Sequence, residues 1–202
     1  FYNTLAGTLE TRLVTPGVSV LFMNGGNISF TYTNRYERLF DDTGIAGAVV
    51  GEGVYEWNEP SVSFTAPGSE ALSGHLTVAR GDFYDGRRTS ISATGLFRPN
   101  QHFSLQLSAQ HNDLELGGSD FTADLFSAQL RYAHNTRSFL LGFVQYNQAT
   151  EELITNVRFN LIHAPLSDLF LVFTERRSLA DGVSDAVLER GMTLKVTKLL
   201  AF

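Results

Sequence analysis

Apolar and polar residues alternate one by one along most of this chain. Phe103, Leu105, Leu107 and Ala109 interleave with His102, Ser104, Gln106, Ser108 and Gln110. Successive side chains of an extended backbone point to opposite sides, so a period of two marks a strand whose two faces meet different surroundings. The same rhythm sets Leu5, Gly7, Leu9 and Leu13 against Thr4, Thr8, Glu10 and Arg12. It sets Ile28, Phe30 and Tyr32 against Ser29, Thr31, Thr33 and Arg35, and Ile91, Ala93, Gly95 and Phe97 against Arg88, Ser90, Ser92, Thr94 and Arg98. Phe126, Ala128, Leu130 and Tyr132 alternate with Ser127, Gln129 and Arg131, and Leu153, Val157, Phe159 and Leu161 with Asn156, Arg158 and Asn160. Each segment reads as a half-buried strand. Segments 138–148 and 168–175 are apolar on both faces, which leaves their assignment open.

The breaks between these segments are of two kinds. Compact turns fall at Asn24-Gly25-Gly26, Ala66-Pro67-Gly68-Ser69, Arg98-Pro99-Asn100, His134-Asn135-Thr136 and Ala164-Pro165-Leu166-Ser167. The intervening connections lie at 15–17, 37–53, 85–86, 112–120, 149–151 and 176–187, and three of them are long. About twelve strands result, with the compact turns at one end and the longer loops at the other, as in a transmembrane barrel. No apolar run approaches the roughly 18 residues of a membrane helix, so a crossing would use strands. Aromatics near strand ends, among them Tyr36, Tyr55, Trp57, Phe83, Tyr84 and Tyr146, fall where a girdle would sit. The expected fold is an all-β, antiparallel transmembrane β-barrel in one domain spanning 1–202, complete or part of a larger barrel. A soluble sandwich or lipocalin-like barrel shares the period and is the alternative.

Composition narrows the function. A net charge of −6, with no basic face for phosphates visible in the sequence, argues against a general nucleic-acid binder. Cysteine is absent, excluding disulfides and thiolate chemistry. Lysine occurs only at Lys195 and Lys198, and the strands' polar positions are mostly Ser, Thr, Asn, Gln and Arg. The chain begins at Phe1 without methionine, so a processed form or a piece of a longer protein is expected. At the other end Met192, Leu194, Val196, Leu200 and Phe202 share one parity, interrupted by Lys198. A terminal aromatic on an alternating strand resembles the signal read by the barrel-assembly machinery of the bacterial outer membrane. Phe202, Leu200 and Val196 are the expected assembly signal, with outer-membrane lipid and that machinery as partners.

From Gly81 onward several motifs occur in order: GDFYDG at 81–86, FRPN at 97–100, NDLEL at 112–116, FVQYNQ at 143–148, NVRFNLI at 156–162 and SDLFLVF at 167–173. Together with ERLF at 37–40 and GVYEW at 53–57, they resemble the C-terminal barrel of bacterial proteins that carry a domain like the family 9 carbohydrate-binding modules ahead of it. The resemblance implies an outer-membrane barrel with a preceding domain.

The residues offer little catalytic chemistry. His75, His102, His111, His134 and His163 are scattered without metal-ligand spacing, and no metal or cofactor is expected. His111 with Asn112 admits comparison with a lipid-facing Ser/His/Asn hydrolase, but no serine nucleophile context accompanies them. Gly25-Gly26 and Gly117-Gly118 read as hairpin turns. The most suggestive set is Arg12, Arg35, Arg88, Arg98, Arg131 and Arg158, with Glu10 and Glu56 as counter-charges. A charge facing lipid near the midplane costs about 2–4 kcal/mol, so these side chains are expected to line the lumen. The leading expectation is a porin-like transport barrel selecting anionic or sugar-like solutes, coupled to carbohydrate binding by the preceding domain. A non-conducting scaffold that anchors a partner protein is the second, and a lipid-facing hydrolase the third.

Overall fold

The computed structural model describes residues 2–3, 7–45, 48–180 and 186–199. All regular structure in them is β. The elements are β1 (Tyr2–Asn3), β2 (Leu9–Val14), β3 (Gly17–Leu21), β4 (Asn27–Leu39), β5 (Thr43–Ile45), β6 (Ala48–Val50), β7 (Gly53–Thr65) and β8 (Leu72–Phe83). They continue with β9 (Gly86–Asn100), β10 (Phe103–Leu116), β11 (Ser119–Asn135), β12 (Ser138–Asn147), β13 (Glu152–Ala164), β14 (Ser167–Ser178) and β15 (Val187–Val196). One antiparallel sheet runs β1-β2-β4-β7-β8-β9-β10-β11-β12-β13-β14-β15, with β3 also on β4, while β5 and β6 form a separate hairpin. The chain divides into two compact units, one of 1–67, 75–93 and 110–123, the other of 68–74, 94–109 and 124–202.

In the first unit the sheet exposes its apolar face. Val20, Ile28 and Phe64 stand side by side in register, as do Val18, Phe30 and Val62. Phe30 is 46% exposed and Val18 71%. On the opposite face Ser29 pairs with Ser63 across β4 and β7, half-buried, their hydroxyl oxygens 2.6 Å apart. The second unit repeats the arrangement. Tyr132, Leu140, Phe159, Leu171 and Leu194 form a row across β11–β15, with Leu194 63% exposed. The other face carries Arg131, Arg158, Gln129 and Asn156, whose amide donates to Thr174 Oγ1 at 2.9 Å. A globular protein in water hides its large apolar side chains and shows its serines and threonines. Here the distribution is reversed.

The reversal stops at the strand ends farther from the compact turns. Along β10 the face of Phe103, Leu105 and Leu107 continues as His111, Asp113 and Glu115, whereas the other face ends in Leu114 and Leu116. Leu116 is fully buried at 0% exposure, as is Val50 of the β5–β6 hairpin at 1%. Along β14 Leu169, Leu171 and Phe173 give way to Glu175 and Arg177, and along β4 Ile28, Phe30 and Tyr32 give way to Asn34, Tyr36 and Arg38.

Several expected breaks are not breaks. Residues 15–17 are no connection: β2 pairs Val14 with Asn34 and β3 pairs Gly17 with Thr31, the same register on the same strand. Pro16 interrupts the ladder because it has no N–H, yet its carbonyl still accepts from the Tyr32 N–H at 2.9 Å. The 112–120 loop is likewise strand, with only Gly117 and Gly118 turning, at φ of 57° and 73°. That left-handed pair suits a two-residue hairpin whose twist matches its strands. The 37–53 loop holds the end of β4, the β5–β6 hairpin and the start of β7. The turns expected at 98–100 and 134–136 shift to Gln101-His102 and Thr136-Arg137, and that at 164–167 narrows to Pro165-Leu166, as the strands run on. Segments 138–148, up to Asn147, and 168–175 are strand.

Gly86 illustrates how closely the strands approach in the first unit: a Cβ there would collide with the backbone carbonyl of Glu115, whereas at Gly95 it would meet nothing within 4 Å. Gly86→Ala should therefore lower unfolding free energy by about 1–3 kcal/mol, the cost of overpacking. Gly95→Ala should stay within about 0.5 kcal/mol of the parent. Urea unfolding of the two variants followed by tryptophan fluorescence checks the contrast.

Candidate functional site on the polar face

In the first unit the polar face gathers charge around aromatic rings. Arg35 stands in register between Leu13 and Trp57, its guanidinium 5.9 Å from the indole centroid. Trp57 is 3% exposed, with Phe83 at 5.8 Å and Tyr84 at 4.6 Å between ring centroids. Arg88 grips Glu59 through both carboxylate oxygens, Nε donating to Oε1 at 3.1 Å and Nη2 to Oε2 at 2.5 Å. Its guanidinium also lies 4.7 Å from the Phe83 centroid. This fork-to-fork pairing on a ring matches what arginine does better than lysine. Beside the pair lies a cleft of about 290 Å³ bordered by Thr33, Ser61, Thr77 and Ser90.

Tyr84, at φ 51° in the turn after β8, closes this group. Burial pushes its phenol up to about 12, and its hydrogen bond to the Glu37 carboxylate adds to the rise. An ionised phenol there would face both a poorer solvent and a negative neighbour.

Arg12, Glu10 and Glu56 do not join Arg35 and Arg88. Arg12, Tyr36 and Glu56 share a register row on the face of Val18 and Phe30. Glu10 has the parity of Arg12 in β2. Because β2 runs into β3 without a turn, parity carries through, and these residues belong to the outward face beyond its apolar stretch. Arg12 Nη2 donates to Glu56 Oε1 at 2.5 Å and Asn34 Oδ1 at 3.1 Å, and Asn34 Nδ2 to Asn58 Oδ1 at 3.0 Å. A comparable group on the outward face of the second unit is Glu175, which accepts from Arg177 at 2.9 Å and Arg190 at 2.5 Å.

The second unit brings two expected arginines together. Arg98 and Arg131 both border a cleft of about 220 Å³ with His102 and Gln101. Arg98 spends one N–H on the Gly68 carbonyl at 2.8 Å. Arg131 also borders an adjoining cleft of about 540 Å³ with His134, Asn135 and Phe139. Arg158 lies in the Arg131 row but one strand removed, between Leu141 and Val172. That row is only partly polar, since Phe139, Leu141, Phe143 and Val172 share the face. Of the expected assembly signal, Val196 closes β15 opposite Leu169 and is 62% exposed, while Leu200 and Phe202 lie outside the described residues. Among the described residues no group of three or more His, Asp or Glu is placed to hold a metal ion. Sequence reasoning missed Glu59, Glu37 and Trp57 as partners on this face. Glu59 could have been found, because its parity is that of Ser61 and Ser63.

Compared with family models, curated proteins and solved structures, the chain matches none.

Two outcomes follow. In a spectrophotometric titration one tyrosine should ionise near pH 12, about two units late, and Glu37→Gln should bring it part of the way back. The raised value means that Tyr84 contributes stability present below about pH 10 and lost as pH climbs through about 12. Separately, Glu59→Gln should cost about 1–2 kcal/mol of stability, because it leaves the half-buried Arg88 without its carboxylate. Adding Arg88→Gln should recover part of that loss in a thermal melt.

Proposed function

We propose that this chain forms a β-barrel of the bacterial outer membrane, its apolar face against lipid and its polar face toward an aqueous interior. The observation that carries the reading is the outward apolar face, with Phe30, Val62, Leu171 and Leu194 all exposed. Burying one such side chain is worth about 1.5–3 kcal/mol, so rows of them in water would be a heavy penalty and an aggregation hazard. Lipid removes the penalty. Charged residues take over the outward face only toward the strand ends, at Glu56, Asp113, Glu115 and Glu175, where a bilayer would give way to water. The motif resemblance supports a carbohydrate-binding domain ahead of the barrel.

The role we favour is porin-like passage of small anionic solutes along the polar face, supported by Arg98, Arg131 and Arg158 and by the clefts beside the first two. A non-conducting scaffold is the second reading. It is favoured by the packed Trp57, Phe83, Tyr84 and Arg88 group, which looks more like filling than like a passage.

The lack of cysteine makes the orientation directly measurable. Val62→Cys and Ser61→Cys, each carrying an environment-sensitive fluorophore and reconstituted in vesicles, should differ sharply in quenching by nitroxide-labelled lipid, with Val62 quenched and Ser61 spared. Equal quenching, or a protein that stays soluble without detergent, would sink the membrane assignment. In planar bilayers, anion-selective conductance weakened by Arg131→Gln supports passage, and silence of a correctly inserted barrel leaves the scaffold.

A further inference from the structure

The larger cleft of the second unit is furnished differently from the rest of this acidic chain. In a protein of net charge −6, Arg131, His102 and His134 border it and no carboxylate does. The side chains of Arg131 and His134 have no hydrogen-bond or ion-pair partner among the described residues. On the polar face of the first unit, by contrast, Arg88 is engaged by Glu59. An unengaged guanidinium is a ready receptor for an oxyanion.

The remaining lining is suited to more than a bare anion. His102 Nδ1 lies 2.7 Å from the Ala133 carbonyl, which can only accept, so Nδ1 donates there, and Nε2 faces the Gln101 amide nitrogen at 3.4 Å and accepts from it. Asn135 Oδ1 already accepts from the N–H groups of Arg137 and Ser138, which fixes its amide and leaves Nδ2 as a donor. The Gln101 amide keeps its Oε1 and a second N–H for a ligand, and Phe139 adds an apolar surface. Directly across from Phe139, Asn160 is 5% exposed with its Oδ1 unpartnered. At about 540 Å³ the cleft has the size of a small-molecule site and far exceeds one phosphate or acetate.

We infer that this cleft binds a small polyhydroxy carboxylate, its acid group on Arg131 and its hydroxyls on Gln101 and Asn135. The inference names a solute class for the polar face and so deepens the passage reading. Binding is nevertheless measured without transport, so a barrel that binds but never conducts would drop passage and keep the site.

The test is calorimetric titration of the purified full chain in detergent with D-gluconate, with sorbitol as its uncharged counterpart and acetate as the acid without hydroxyls. Gluconate should bind, and sorbitol and acetate should each bind at least about tenfold more weakly, the scale of one charge-assisted contact. Arg131→Gln should weaken gluconate by about tenfold with an unchanged melting temperature, while Arg176→Gln, at the far end of β14, should leave it alone. Sorbitol binding as well as gluconate would show that charge is not read, and acetate doing so would reduce the site to a simple anion patch. An equal loss in Arg176→Gln would mean diffuse attraction. Each of these, like the absence of any gluconate binding, overturns the inference.

Discussion

Everything in this fold depends on the coupling between pleat and register. Two residues directly opposite each other in an antiparallel pair share a face, so the facing of one side chain fixes that of its whole strand and of the strands bonded to it. Val18 commits Phe30 and Val62, and Tyr132 commits Leu140, Phe159, Leu171 and Leu194. A slip by one residue would turn every serine and arginine of a strand toward the side now held by leucine and phenylalanine. The sheet can have its apolar face outward only if all strands agree, and in each unit they do.

The polar face is less uniform than the apolar one. In the first unit it is filled: rings pack on rings, and Arg88 is held by a carboxylate and by Phe83. In the second it mixes Arg131 and Arg158 with Phe139, Leu141 and Phe143, so charge there sits among hydrocarbon with few partners. Charges satisfied by neighbours stiffen a structure, and charges left without them invite ligands. The two units thus give the same residue type different chemical potential for binding.

Much of the strand pattern was legible because period two survives in single segments such as Phe103 to Ala109 and Phe126 to Tyr132. The polar faces of Arg35 and Arg88 followed from it. Arg12 did not, because Pro16 reads as a turn in sequence, and a supposed turn resets the parity that fixes facing. The 112–120 stretch misled for another reason. Its outward positions there are Asp113 and Glu115, so the rhythm inverts, and charge together with two glycines looks like loop. The clefts beside Arg131 were not legible at all, since they join residues from the turn after β9 to others on β11 and β12. Parity says which face a residue occupies and nothing about which neighbours along that face leave space between them.

Pro16 also bears on how the first hairpin zips. From the Met23–Gly25 turn, Leu21 to Gly17 pair with Asn27 to Thr31 in an unbroken ladder over a short loop. Closing so small a loop costs little chain entropy, and hairpins of this size form in about 1–10 μs. At Pro16 the ladder lacks one donor, and the pairs from Val14 to Thr11 resume only beyond it. The proline therefore divides one strand into two zippering stages: a local nucleus that can form early and a distal stretch whose fraying leaves the nucleus intact.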